Sequence, residues 1–153
     1  AKGTCMKFIL VFLSLILAAC QPVITTVIPD TSNYEKLLVG KWATTKKIEG
    51  YKCWDVHIEF RADGTKIGNW TICDEKGNPQ PYSYKAHWSI RKAKLYVTIF
   101  EASPELLERE KITLPYAEKS HIRSLTEDDF VITFTRESLT LQPREWLVYK
   151  RED

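Results

Sequence analysis

Two stretches of this chain alternate apolar and polar residues, and they can be paired in only one register. In CWDVHIEF (53–60), Trp54, Val56, Ile58 and Phe60 share one face, while Cys53, Asp55, His57 and Glu59 share the other, as the period of two in a β-strand requires. Arg61-Ala62-Asp63-Gly64 follows, and Gly64 suits the left-handed position of a three-residue loop with a bulge. Pairing Arg61 with Thr65 then sets Trp54 opposite Ile72, Val56 opposite Trp70 and Cys53 opposite Cys73. A slip of one residue would destroy the apolar match and the cysteine match together, so two independent signals choose the same antiparallel hairpin. Directly opposed residues hold their Cβ atoms about 4.5 to 5.5 Å apart, close enough for a Cys53–Cys73 disulfide after modest adjustment.

The rest of the chain continues as a β meander. Candidate strands are 41–48, 51–60, 65–73, 82–90, 95–101, 112–116, 120–125, 129–136 and 144–151, some of which can merge. In a second hairpin Tyr84, Ala86, Trp88 and Ile90 face one side. A four-residue loop, Arg91 to Lys94, pairs Ile90 with Leu95, Trp88 with Val97 and Ala86 with Ile99. A third hairpin runs from Leu125 through Glu127-Asp128-Asp129 to Phe130, and Trp146 and Val148 mark the inner face of the last strand. Thr31 to Val39 offers a Ser32 or Asn33 cap before Leu37 and Leu38, which predicts a short helix or turn. Ser103-Pro104-Glu105 predicts a single helical turn through Leu107, since Ser caps and Pro suits the first helical position. A length of 153 residues fits one core, and five Trp, seven Tyr and six Phe can fill it.

The N-terminal part reads as a targeting segment. From Met6 the chain has one basic residue, Lys7, an apolar run from Phe8 to Leu17, and small residues before Cys20, the layout of a signal peptide. The run is shorter than the roughly 20 residues of a comfortable membrane span. Ala1 to Cys5 are read as lying upstream of the start. Leu17-Ala18-Ala19-Cys20 resembles the lipobox of bacterial lipoproteins. The resemblance implies that 1–19 is removed, that the Cys20 thiol carries acyl chains such as palmitate, and that 20–31 tethers a domain spanning 32–153. Two or three acyl chains, at about 0.8 kcal/mol per buried CH₂, hold a soluble domain on a bilayer. Gln21 stands where an Asp would resemble an inner-membrane retention signal, so the expected place is the cell envelope, at the outer rather than the inner membrane. Export to an oxidising compartment also favours the disulfide over free thiols. Of the 22 basic side chains, Lys2 and Lys7 lie in the segment to be removed, leaving 20 against 20 acidic ones. A neutral domain has no general hold on phosphate backbones, which argues against nucleic acid as a partner.

Gly40-Lys41-Trp42 at the start of the first strand, followed by about eight antiparallel strands, resembles the lipocalin and wider calycin group over most of 32–151. Phe60-x-x-Asp63-Gly64-Thr65, and Ser124-Leu125-Thr126 ahead of Phe130, are similar to bacterial lipocalin-like lipoproteins. The resemblance implies an all-β meander closing into a small barrel. In it Gly40 would let the chain turn tightly, Trp42 would plug one end, and Arg151 or Arg144 would stack over Trp42 as cation–π geometry favours. It also implies a small apolar or amphipathic ligand in the other end, with Trp54, Trp70, Tyr84 and Trp88 as candidate lining. Large side chains filling the core are the alternative for at least two of the tryptophans, because eight-stranded barrels hold little more than their own side chains. A second functional reading is a protein-binding lipoprotein, an enzyme inhibitor or envelope assembly factor, since Tyr51-Lys52-Cys53 resembles the membrane-bound lysozyme inhibitors. No nucleophile elbow, phosphate loop or zinc-protease motif occurs, so neither an enzyme nor a cofactor is expected. His57, His87 and His121 fall on different strands, and Asp55-x-His57 beside a bonded Cys53 makes a poor metal site.

Overall fold

A computed structural model describes residues 31–44, 53–74, 76–134 and 146–153. The signal and tether segments up to residue 30, Cys20 included, lie outside the described residues, as do Arg144, Tyr51 and Lys52. Eight strands follow one another around a closed barrel, each hydrogen-bonded to the next and the last to the first. They are β1 (Gly40–Thr44), β2 (Trp54–Phe60), β3 (Thr65–Cys73), β4 (Pro79–Arg91), β5 (Lys94–Ala102), β6 (Tyr116–Leu125), β7 (Asp129–Phe134) and β8 (Trp146–Arg151). A helix α1 (Tyr34–Leu38) precedes β1, and a helix α2 (Pro104–Glu110) lies between β5 and β6. The fold is the all-β antiparallel meander expected, with a short N-terminal helix.

The first hairpin has the register that the two sequence signals select: Trp54 faces Ile72 and Val56 faces Trp70. Cys53 and Cys73 are bonded, with Cα atoms 5.1 Å apart. Gly64 takes a left-handed φ of 83°, and the Asp63 carboxylate accepts hydrogen bonds from the Thr65 amide at 2.9 Å and the Thr65 hydroxyl at 2.6 Å. In the second hairpin Ile90 faces Leu95, Trp88 faces Val97 and Ala86 faces Ile99, as expected. The turn itself is tighter than expected, because Arg91 and Lys94 still pair. Lys92 and Ala93 alone reverse the chain, both at positive φ (48° and 56°), the conformation whose twist matches the flanking strands.

Three expectations are corrected. The inner face of β8 carries Leu147 and Tyr149, both buried, rather than Val148, because Tyr149 pairs with the inward Phe130 and Leu147 with the inward Ile132. The stretches 112–116 and 120–125 are not separate strands: one strand, β6, runs from Tyr116 to Leu125, with a bulge between Ile122 and Ser124. The predicted single turn after Ser103 extends through Glu110, with Pro104 in its first turn.

The meander gives the barrel two unlike ends. Hairpins β2–β3, β4–β5 and β6–β7 turn at the end where β1 starts and β8 finishes, with α1 beside them. The Cys53–Cys73 bond, the β3–β4 connection and α2 lie at the opposite end. Between them the core is continuous, with Trp42, Phe130 and Ala86 wholly buried and Phe60, Ile72, Val56, Leu95 and Leu106 nearly so.

Candidate functional site

One end of the barrel is closed by three residues from its two chain termini. Trp42, fully buried, donates its indole N–H to the Leu38 carbonyl at 2.8 Å, fixing α1 across the opening. Arg151 pairs with Trp42 across the β1–β8 seam and lays its guanidinium 4.3 Å from the centre of the indole. The same guanidinium donates to the carbonyls of Val39 at 3.0 Å and Leu37 at 2.5 Å, and its Nε donates to Glu127 in the β6–β7 turn. These acceptors include carbonyls left free at the end of α1, where a cation is favoured. Gly40 has no room for a side chain: its φ is +142°, and a Cβ there would lie 2.3 Å from Arg151 Nη1. Below this plug, Phe130 stacks on Tyr149 at 5.5 Å and meets Phe60 edge-on at 5.9 Å, making an aromatic floor.

The four side chains expected to line a ligand do not form one group. Trp54 and Trp70 stack at 6.5 Å, and Tyr84 meets Trp70 edge-on at 5.7 Å, so these three form a wall toward the end opposite the plug. Trp88 stands apart. Its indole N–H points to the Arg61 and Thr65 carbonyls (3.2 and 2.9 Å) in the hairpin beside the plug, and its ring packs edge-on against Phe60 at 5.5 Å. Tyr84 lies flat on backbone, because a Cβ at Gly68 would fall 2.0 Å from its ring. Trp54 and Trp70 are only partly buried against the core.

The residue that pattern reading passed over is Lys66. It pairs with Phe60 and with Ala86, both inward, so period two turns it into the lumen, where it is 6% exposed. Its ammonium lies 5.3 Å from the Phe60 ring and 5.2 Å from the Tyr84 ring. The Glu118 carboxylate, inward from β6 across the lumen, is 3.9 Å away, and its side chain is 25% exposed against 8% for that of Lys66. That separation exceeds a hydrogen bond. Around this pair, burial holds the Tyr84 hydroxyl well above the ordinary phenol range, with the Glu118 charge adding to it. Burial also raises the Tyr149 hydroxyl, with Lys66 opposing and Tyr84 and Glu118 reinforcing. Both phenols are therefore neutral and can serve as donors. Among the described residues, the Thr44 hydroxyl and the Trp70 indole N–H are shielded from solvent without a hydrogen-bond partner.

Over the end opposite the plug, α2 buries Leu106 and sets the Arg109 guanidinium 5.4 Å from the Tyr82 ring. Burial raises the Glu110 carboxyl, and the neighbouring Arg109 partly offsets it. His57 lies outside the barrel between two carboxylates, Asp55 at 3.0 Å and Glu152 at 2.8 Å. Its ring nitrogens meet carboxylate oxygens on the outer surface, and among the described residues no set of three or more metal-ligating side chains gathers.

No protein-family model and no curated protein matches the chain. Solved structures similar to it include an uncharacterized protein from Bacteroides eggerthii (TM-score 0.44, 11% identity, over 75% of this chain and 99% of that one). A lipocalin-like protein from Bacteroides uniformis is similar with a TM-score of 0.45 and 12% identity, over 76% of this chain and 99% of the other. Japanin from Rhipicephalus appendiculatus bound to cholesterol gives 0.43 and 11%, over 74% of each chain. Likeness at this level assigns no ligand, so the functional argument rests on the barrel's own residues.

Proposed function

We propose that this chain is an extracytoplasmic lipoprotein, held on a membrane through Cys20, whose barrel takes up a small ligand with a largely apolar body. The observation that carries the reading is the difference between the barrel's ends. One is sealed by Trp42, Arg151 and Gly40; the other presents the partly buried rings of Trp54 and Trp70 beside Tyr84. A barrel built only for stability gains from filling both ends alike, whereas a binding barrel keeps apolar surface accessible at one. Leu17-Ala18-Ala19-Cys20 supports the anchor, and Gln21 favours the outer membrane. An anchored container can receive or hand over molecules at a lipid surface without an energy source, which suits a chain with no motif for group transfer.

Native mass spectrometry of the protein purified from its own envelope tests the container directly. A retained small molecule, released on unfolding, is the expected result. A bare mass, together with no change in tryptophan emission on titration with the neutral apolar dye Nile red, would refute it. The anchor is tested separately: a fatty-acid analogue fed to cells should label the protein, and Cys20→Ser should abolish the label.

A protein-binding role is the second reading, favoured by one observation. Tyr96 and Phe100, 37% and 41% exposed, stand on the outer face of β5, with Phe100 packed at a tilt against His87, ring centres 4.6 Å apart. Tyr96→Ser and Phe100→Ser would abolish capture of a protein partner while leaving ligand retention unchanged.

A further inference from the structure

We infer that the lumen selects an anionic amphiphile, a molecule with an apolar body and a single oxyanion head, entering head first so that the head reaches the Lys66 ammonium. The inference rests on the reading of the lumen as a ligand-binding site and adds the chemical class of the ligand. A lysine buried to 6% exposure among the aromatic and aliphatic side chains of the barrel has lost the water that normally solvates its three N–H donors. What replaces that water is incomplete. The Phe60 and Tyr84 ring faces, at 5.3 and 5.2 Å, supply cation–π attraction but only diffuse acceptors. The carboxylate of Glu118 stops at 3.9 Å.

The uncharged polar groups around Lys66 can all donate. The Trp70 indole can only donate, and the Thr44 hydroxyl, also without a partner among the described residues, can donate as well as accept. The Tyr84 and Tyr149 phenols are kept protonated by burial. A lumen with a surplus of donors around an under-satisfied cation is matched by an oxyanion, which accepts several hydrogen bonds at once. A neutral head leaves the charge unanswered. A cationic head would have to sit on Glu118, but that side chain is 25% exposed, against 8% for Lys66, and water can already solvate it. The apolar body follows from the wall: behind a head on Lys66, the ligand lies along Tyr84, Trp70 and Trp54 toward the end away from the plug.

Glu118 then has a definable part. It is the resident carboxylate that an incoming anion displaces from Lys66, so it lowers anion affinity and balances the Lys66 charge when no anion is bound.

The test compares three amphiphiles of one chain length, laurate, lauryl alcohol and laurylamine, each titrated below its micelle concentration into the purified protein and followed by tryptophan emission. Laurate should bind about tenfold or more tightly than the alcohol, the difference that one good charge-assisted contact makes. Lys66→Met, which fills the same space without charge, should bring the ratio of laurate to alcohol affinity close to one. Glu118→Gln should widen the preference for laurate over the alcohol. Equal affinities for laurate and alcohol in the wild type, or a preference that survives Lys66→Met, would overturn the assignment of the head while leaving the container intact. Preference for laurylamine would overturn it in favour of Glu118 as the recognition group. Binding of none of the three would remove the container reading itself, and the inference with it.

Discussion

Replacing Arg151 with lysine keeps the charge and most of the stem but loses the fork, and the consequence can be worked from the geometry of the plug. Arg151 donates to Val39 at 3.0 Å, to Leu37 at 2.5 Å and to Glu127, three carbonyls in two separate segments. A lysine ammonium on the same backbone reaches one of them well. Two lost charge-assisted bonds would each cost about 1.5 to 3 kcal/mol if fully buried, but water can reach this end of the barrel, so about 1 kcal/mol each is the better figure. Loss of the planar stack on Trp42, 4.3 Å below the guanidinium, adds about 0.5 to 1 kcal/mol. The expected total is about 2 to 3 kcal/mol, or a melting temperature lower by about 10 °C in a domain of this size. Thermal melts by far-ultraviolet circular dichroism, with urea unfolding followed by tryptophan emission, would read it. A second substitution isolates the contact. Gly40→Ala strains the backbone at a φ of +142° and pushes a methyl to 2.3 Å from Arg151 Nη1, so part of its cost should vanish when Arg151 is already lysine. If Arg151→Lys melts within about 2 °C of the wild type, or the two substitutions add simply, the guanidinium is not what holds the plug.

Three further outcomes are expected. The double substitution Cys53→Ser, Cys73→Ser should fold but lose about 2 to 4 kcal/mol, the chain-entropy cost of opening a loop of this length; non-reducing peptide mapping of envelope-purified protein should recover the linked pair, and free thiols would contradict it. Lys92→Asn with Ala93→Gly places the residues that tolerate positive φ at both positions of the β4–β5 turn, and should stabilise by about 1 to 2 kcal/mol; a lower urea midpoint would show that the turn is not strained. The Thr65 hydroxyl, and after it the Thr65 amide, hold the Asp63 carboxyl below the ordinary range, so its contribution is present above the unfolded value near about 3.9 and is lost as pH falls through the depressed folded value. The stability gap between wild type and Asp63→Ala should therefore be constant at neutral pH and close under acid; a gap independent of pH would rule the carboxylate out.

Much of the fold was legible because its hairpins carry redundant signals. Cys53 opposite Cys73, and Val56 opposite Trp70, demand the same register, and Leu125 opposite Phe130 needs only the turn residues between them. Where redundancy is missing, pattern and structure part. Lys92 and Ala93 carry none of the glycine or asparagine that usually marks a two-residue turn, so the pattern predicts a four-residue loop. In β6 the apolar period breaks at Glu118, so the pattern predicts two strands where one runs from Tyr116 to Leu125. The plug was legible only through the resemblance, which named Gly40 and Trp42 together with Arg151 or Arg144. The Arg151 contacts to Val39, Leu37 and Glu127 depend on the seam between first and last strands, which no local pattern specifies.

Between the plug and the opposite end, the described strands turn two charged side chains into the lumen, Lys66 and Glu118, and they are 3.9 Å apart. Lys66 was implied by the first hairpin, since the pairing that sets Val56 against Trp70 also sets Phe60 against Lys66 and turns it inward. It was passed over because charge is read as solvent-facing, an inference that is right wherever nothing forces a charge inside. Here the register forces it, and the cost is real: a buried ion pair is commonly no more stable than apolar side chains of the same volume. Methionine at 66 and leucine at 118 would continue the aromatic and aliphatic lining without a break. A chain whose other inward positions nearly all follow the apolar rule departs from it at two facing positions on β3 and β6, which no sequence-local constraint connects. Departures of that kind, where local rule and observed fold disagree and no stability gain compensates, concentrate at sites used for something else. The joint variant Lys66→Met, Glu118→Leu separates the explanations. If the pair serves binding, it should melt at or above the wild-type temperature while losing the preference for laurate over lauryl alcohol. A variant that unfolds would show instead that the pair is part of what holds the barrel together.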